Sequence, residues 1–374
     1  MRKILNWCKQ EAVLVIALLL AVVSAFFVHP DKEYLTYIDF RTLALLFCLM
    51  AVMVGFQSVG VFQYVAQKLL KRVGHIRGLA FVLIMLCFFS SMFITNDVAL
   101  ITFVPFTFIV LKMVLGERSE VLVVPIVVMQ TIAANLGSML TPIGNPQNLY
   151  LYGKAGIGLG EFVILMLPYT LVAFMLLAIW CFIFPYKGEK RIGLELEESV
   201  DISEHKLKLL IYGMLFVLCL LTVAHVLPYQ ITSLLVFGTV LVADRKILAK
   251  VDYVLLFTFI GFFVFIGNVG RVPVFNHLIQ KIVDGNEVLT SIVSSQVMSN
   301  VPAALLLSGF TGEYELLIVG TNLGGLGTII ASMASLISFK YIGKEYKHLK
   351  SRYLLYFTIA NILFLLILFG IYIK

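Results

Sequence analysis

Apolar runs of about 20 residues, the length needed to cross a bilayer core, recur along the whole chain and are separated by short loops carrying most of its charge. Such runs leave few folds open. Placed together in water they would expose far too much hydrocarbon, and 61% hydrophobic with 13% charged residues lies well outside the soluble range. The pattern predicts an all-α polytopic membrane protein, with spans near 12–28, 42–64, 121–152, 162–185, 209–228, 229–243, 253–269, 316–340 and 353–373. Residues 1–11 and the run after them resemble a signal peptide, with Val23, Ser24 and Ala25 as a cleavage-like triplet. The many spans that follow favour an uncleaved first helix.

The net charge of +7 is explained by topology rather than by nucleic acid, because the basic residues gather in the loops between spans. With the N-terminus in the cytoplasm, 22 of the 28 Lys and Arg fall in inner segments. Six (Lys32, Arg41, Lys154, Arg271, Lys281 and Lys374) fall outside. The chain is thus expected in the cytoplasmic membrane of a cell, multi-pass, with a cytoplasmic N-terminus. Cys8, Cys48, Cys87, Cys181 and Cys219 show no metal or redox spacing, and neither do the six histidines. No catalytic constellation is visible, so no enzyme activity and no cofactor are expected.

Two apolar regions behave differently. Residues 78–115 have basic flanks on both sides and a polar centre at Thr95, Asn96 and Asp97. Residues 288–311 centre on Ser299 and Asn300, with arms of about 12 residues, too short for a core near 30 Å thick. The first region either crosses fully as two helices with a very tight outer turn or enters from the cytoplasm as a hairpin and turns back; the second reads as a re-entrant hairpin, and by analogy so does the first.

The chain also repeats itself. IDFRTLALLFCLMAVMVGFQSVGVF (38–62) matches VDYVLLFTFIGFFVFIGNVGRVPVF (251–275), and each is followed by a short amphipathic piece. SSMFITNDVAL (90–100) matches SSQVMSNVPAA (294–304), and NLGSMLTPIGNPQN (135–148) matches NLGGLGTIIASMAS (322–335) without a gap. The charge bias gives the copies opposite orientations, with 209–228 as the extra span that permits the inversion. Inverted repeats holding paired interrupted helices point to a secondary transporter with its site at mid-membrane.

The interruptions carry the candidate chemistry. Backbone freed by Pro142, Pro146, Gly137 and Gly144 survives at membrane depth only inside protein or beside a watery cavity. Oxygens there suit a small hard cation, and half-helix N-termini suit an anion. Candidate binding residues are Thr95, Asn96, Asp97, Asn135, Thr141, Gly144, Asn145, Pro146 and Asn148 in the first copy. In the second they are Ser299, Asn300, Asn322, Gly324, Thr328, Ser332 and Ser335. Na+ would sit at Asn96, Gly144, Asn145 and Asn148, since the first break is richer in Pro and Asn. Asp97, an acid at membrane depth with Val301 as its counterpart, is read as a coupling residue or as the N-cap of the second hairpin arm. Arg271 is read as an interfacial snorkelling residue, and LELEESVDISEH (194–205) as a solvated loop.

The Thr/Ser-Asn tips, the NLG-x-x-x-TPIGNPQN break and the inverted second copy resemble the ion transporter superfamily, nearest its arsenite-permease-like branch, with divalent anion:sodium symporters more distant. The resemblance implies a homodimeric elevator. Residues 1–77 and 209–285 would form scaffold, 78–185 and 286–374 would move, and 186–208 would be a cytoplasmic loop. The amphipathic pieces near 63–74 and 276–285 would be arm helices. The chain departs from the symporters, which usually carry Ser-Asn-Thr at both tips. The expected function is transport of a small anion or oxyanion driven by H+ or Na+. A Na+/H+ antiporter using Asp97 is the alternative, and a channel or membrane-anchored binding protein is a third class.

Overall fold

The computed structural model describes residues 11–71, 73–184 and 205–373. Most of segment 1–11, including Cys8, and nearly all of the 186–208 loop lie outside those residues. The described chain is helical, and the helices follow the apolar runs: α1 Ala12–Phe27, α2 Phe40–Val59, α3 Val61–Leu70, α4 Ile76–Ile94, α5 Asn96–Leu115, α6 Ser119–Ser138, α7 Pro146–Ala155 and α8 Leu159–Ile183. After the loop come α9 Lys206–Val223, α10 Tyr229–Asp244, α11 Tyr253–Gly270, α12 Pro273–Val283, α13 Glu287–Met298, α14 Asn300–Leu307, α15 Tyr314–Gly324, α16 Met333–Glu345 and α17 Lys350–Ile373.

Among the described residues, seven helical stretches are long and apolar enough to cross a membrane. The outer faces of α8 and α17 bear exposed Ile164, Met175, Ile179, Leu355, Ile359 and Leu363, side chains that lipid accepts and water does not. Helices α1 and α10 have 16 residues each, about 24 Å, which is short of a straight crossing.

Local chemistry sets the ends. Asp39 and Asp252 cap α2 and α11 in the same way, their carboxylates accepting from the amides of Thr42 and Leu255, each at 3.0 Å. The span expected over 42–64 is in fact two helices. Gly60 at φ +78° ends α2 and turns the chain into the amphipathic α3, a left-handed cap for which glycine is suited.

The two hairpins are unequal. The arms of the second, α13 and α14, have 12 and 8 residues, as the length argument required. Those of the first, α4 and α5, have 19 and 20, about 28–30 Å each. Arm length therefore does not make the first region re-entrant. What the two hairpins share is the conformation of the tip and what it touches.

Helix α6 is the central element, with every residue from Leu122 to Ser138 buried. It packs against α4 and α5, while α15 packs against α13. Small residues permit both approaches. A Cβ on Gly137 would run into the Phe88 carbonyl and Ser91, and one on Gly324 into Ser295. Gly137 and Gly324 are matched positions of the repeat, and so are Ser91 and Ser295. A separate group forms where α2 packs with α9 and α10, and α1 with α11. The two groups meet where α7 touches α2 and α14 touches α11. Between them Gln57 of α2 donates to Thr102 of α5 at 3.3 Å.

Arg271 is held rather than free at the surface. It pairs with Asp31 at 2.8 Å and Glu33 at 3.3 Å and donates to the Tyr37 hydroxyl, clasping the loop after α1. Its guanidinium lowers the Asp31 pKa below the ordinary value of 3.8.

Candidate functional site

The helix expected over 121–152 breaks between α6 and α7, and that over 316–340 breaks between α15 and α16. Pro146 begins α7, where its missing N–H costs nothing, and Asn145 caps the helix by accepting from the Asn148 amide at 3.0 Å. Gly144 is required beside it, because a Cβ would collide with the Ser138 backbone.

Each hairpin tip lies against a break. Thr95 (φ +69°, ψ 151°) and Ser299 (φ +75°, ψ 154°) share a backbone conformation that side-chain-bearing residues rarely adopt, at a cost of about 1–3 kcal/mol each. The surroundings hold it in place. The amide after each tip donates to a break carbonyl, Asn96 to Gly144 at 3.1 Å and Asn300 to Ala331 at 2.9 Å. Gly144 and Ala331 are also matched positions, so the strained turn and its anchor occur twice in the same form.

The breaks then bond to each other crosswise. Asn145 donates to Asn322 at 3.1 Å, and the matched Ser332 donates to Asn135, also at 3.1 Å. Asn322 donates to Asn148 at 2.6 Å, and Asn135 reaches Ser335 at 3.4 Å. The first tip joins through Asn96, which donates to Asn135 at 3.1 Å. Asn148 turns its amide toward the freed carbonyls of Ser138, Met139 and Thr141. The result is a buried lattice of neutral amides, hydroxyls and carbonyls, bordered by the N-termini of α5, α7, α14 and α16.

Most of the candidates named from sequence meet here: Asn96, Asn135, Gly144, Asn145, Asn148, Asn300, Asn322, Ser332 and Ser335, with Thr95 and Ser299 at the tips. Pro146 and Gly324 shape backbone and packing. Thr141 sits at the edge, its hydroxyl on the Met92 carbonyl. Thr328 lies apart, exposed, its amide and hydroxyl held by Gln296. Equivalence with Thr141 placed it in the candidate set, but the second break turns it outward.

Asp97 is not the cap of α5. Thr95 is, through the Val98 amide, and Asp97 lies in the first turn with its Oδ1 buried and unpartnered. An unpaired buried carboxylate oxygen is costly, so the cap explanation does not account for this residue.

The oxygens proposed for Na+ are of the kind a hard cation takes. Those of Asn96, Gly144, Asn145 and Asn148 each already accept one N–H, which fixes them in place, and each keeps a second lone pair. Among the described residues, no group of three or more His, Cys, Asp or Glu could hold a metal.

Sequence reading missed Ser138, which accepts from Asn145 at 3.2 Å; Gln147, which lies within the 144–148 stretch that the family resemblance implied, is a buried amide of the first turn of α7. Gln147 stands inside the NPQN motif, and a polar residue between two candidates was the available clue.

Comparison with known proteins agrees with this architecture. A family model described as "Citrate transporter" matches residues 4–311. The chain is 34% identical over 310 residues to "Uncharacterized transporter MJ0456" of Methanocaldococcus jannaschii, covering 82% of each chain. It is 30% identical over 331 residues to "Inner membrane protein YbiR" of Escherichia coli, covering 86% of each. A shorter match, 32% over 138 residues, covers 35% of this chain and 16% of the mouse "P protein". Paired broken helices and matches of this extent place the chain in the citrate transporter family of the ion transporter superfamily, as a multi-pass membrane protein.

Proposed function

We propose that this protein is a secondary active transporter that carries a small anion or oxyanion across the membrane, coupled to H+ or Na+, by an elevator motion. The carrying observation is the crosswise-bonded pair of breaks, each anchored to a strained tip. Four helix N-termini border this lattice and favour negative charge, while its fixed neutral oxygens favour a cation. Cation and anion bound side by side compensate one another's charge. Binding both therefore favours the mobile loaded form over a half-loaded one, which is the condition for coupling.

In this reading the group built on α4–α8 and α13–α17 moves as one body past α1, α2 and α9–α11, with α3 and α12 as interfacial arms. The two copies are inverted relative to the membrane, the hairpins are re-entrant, the N-terminus is cytoplasmic, and two chains assemble through their scaffolds. The family name makes a carboxylate one substrate to test.

A second reading, a Na+/H+ antiporter, is favoured by one specific observation, the unpartnered buried oxygen of Asp97. Flux in proteoliposomes separates the two. Uptake of a carboxylate or oxyanion, accelerated by an inward Na+ or H+ gradient, is expected. Na+ efflux linked to H+ entry with no anion present would establish the antiporter instead. Gradient-independent anion flux would overturn coupling.

A further inference from the structure

Gln147 is 1% exposed, and both of its polar atoms, Nε2 and Oε1, are buried without a hydrogen-bond partner. Native proteins pair buried amides, and one left open on both ends is destabilising until something fills it. The crosswise lattice does not use this side chain. Its matched position in the second break is Ala334, fully buried, which leaves the reciprocal bonds intact without any amide.

Position supplies a second observation. Gln147 lies in the first turn of α7, one residue after Pro146, where the helix N-terminus favours negative charge. It shares a helix face with Tyr150, three residues on. The Tyr150 ring packs on Phe259 and Phe263 of α11, and its hydroxyl meets Ser308 just after α14 at 2.8 Å. Gln147 therefore sits on the face of α7 turned toward the seam between the two helical groups.

Building on the anion-transport reading, we infer that Gln147 is a specificity-determining residue that contacts the substrate. Its Nε2 donates to an anion oxygen, and its Oε1 accepts from a hydroxyl carried by the same anion. A bare anion brings acceptors only and leaves Oε1 open. An anion with a hydrogen-bond donor beside its acceptor oxygens satisfies both ends, and the site favours it.

The test is thermal unfolding of the purified full-length protein, titrated with two pairs of probes: phosphate against sulfate, and malate against succinate. The first member of each pair carries a donor that the second lacks. The native protein is expected to respond to phosphate or malate at concentrations about tenfold lower than to the partner probe. Gln147→Leu is expected to unfold at a higher temperature without ligand, because an open buried amide has been removed, and to respond equally within each pair. Gln147→Met, an unbranched replacement, should behave alike and guards against a packing fault of the leucine. Discrimination that survives in both variants overturns the inference. So does a lower ligand-free unfolding temperature with an unchanged ligand response, which would mark the amide as structural. Equal responses within each pair in the native protein sink the role of Gln147 and leave the anion reading standing. No response to any of the four probes removes the anion reading and this inference with it.

Discussion

Truncating Asn322 tests the crosswise lattice directly. In Asn322→Ala, the donated bonds to Asn148 at 2.6 Å and to the Ile318 carbonyl at 2.8 Å are lost, as is the bond accepted from Asn145 at 3.1 Å. Asn145 keeps Ser138 as an acceptor, but the Asn148 side-chain oxygen is left buried with no donor. Three net bonds of about 1 kcal/mol each plus an orphaned buried acceptor of about 1–3 kcal/mol give a loss of about 4–6 kcal/mol. With an unfolding entropy of about 2.1 cal/mol/K per residue over 374 residues, that corresponds to a fall in unfolding temperature of about 5–8 °C. Asn148→Ala removes the orphan itself, while Asn322 still donates to Ile318. The double variant should therefore lose less than the sum of the singles, by about 1–2 kcal/mol. Scans at one fixed rate, in one detergent, hold irreversible steps constant across the four proteins. Additivity within about 0.5 kcal/mol would refute the lattice, because independent sites add and bonded ones do not.

Three further perturbations follow from the same geometry. Asp97→Asn keeps shape while removing a carboxylate whose buried Oδ1 has no partner, so the unfolding temperature should hold or rise while gradient-driven flux in proteoliposomes is lost or uncoupled; unaltered flux would remove Asp97 from coupling. Gly137→Ala places a methyl against the Phe88 carbonyl and should destabilise by about 1–3 kcal/mol, whereas Gly160→Ala in open space should be neutral or stabilising by up to about 1 kcal/mol, read by the same thermal scans. Arg271 lowers the Asp31 pKa, so their pairing stabilises above the ordinary carboxylate value of 3.8 and is lost as pH falls below it. Arg271→Gln should lower the unfolding temperature slightly at neutral pH, by an amount that shrinks with salt and with acid; an effect that persists unchanged in acid would mean packing rather than charge.

That this chain belongs in a membrane, roughly where its spans run, and that two segments of each half are interrupted are all legible in the order of its amino acids. These are local properties. A run of apolar residues, a proline without an amide donor and a glycine beside it act through their immediate neighbours, and a matched pair of such patterns is legible without coordinates. Which interrupted groups meet is set by the packing of distant helices. Asn145 and Asn322 lie 177 positions apart, and nothing in either segment states that one amide donates to the other. The same limit explains the misplaced details. Thr328 matches Thr141 in the alignment yet is turned outward onto Gln296, and Asp97 occupies a plausible capping position that Thr95 fills instead. Nothing in the NPQN motif itself sets Gln147 apart from its neighbours. Its burial with both polar atoms open arises only when α7 is pressed between α14, α15 and α2, an arrangement set by long-range packing rather than by the residues on either side.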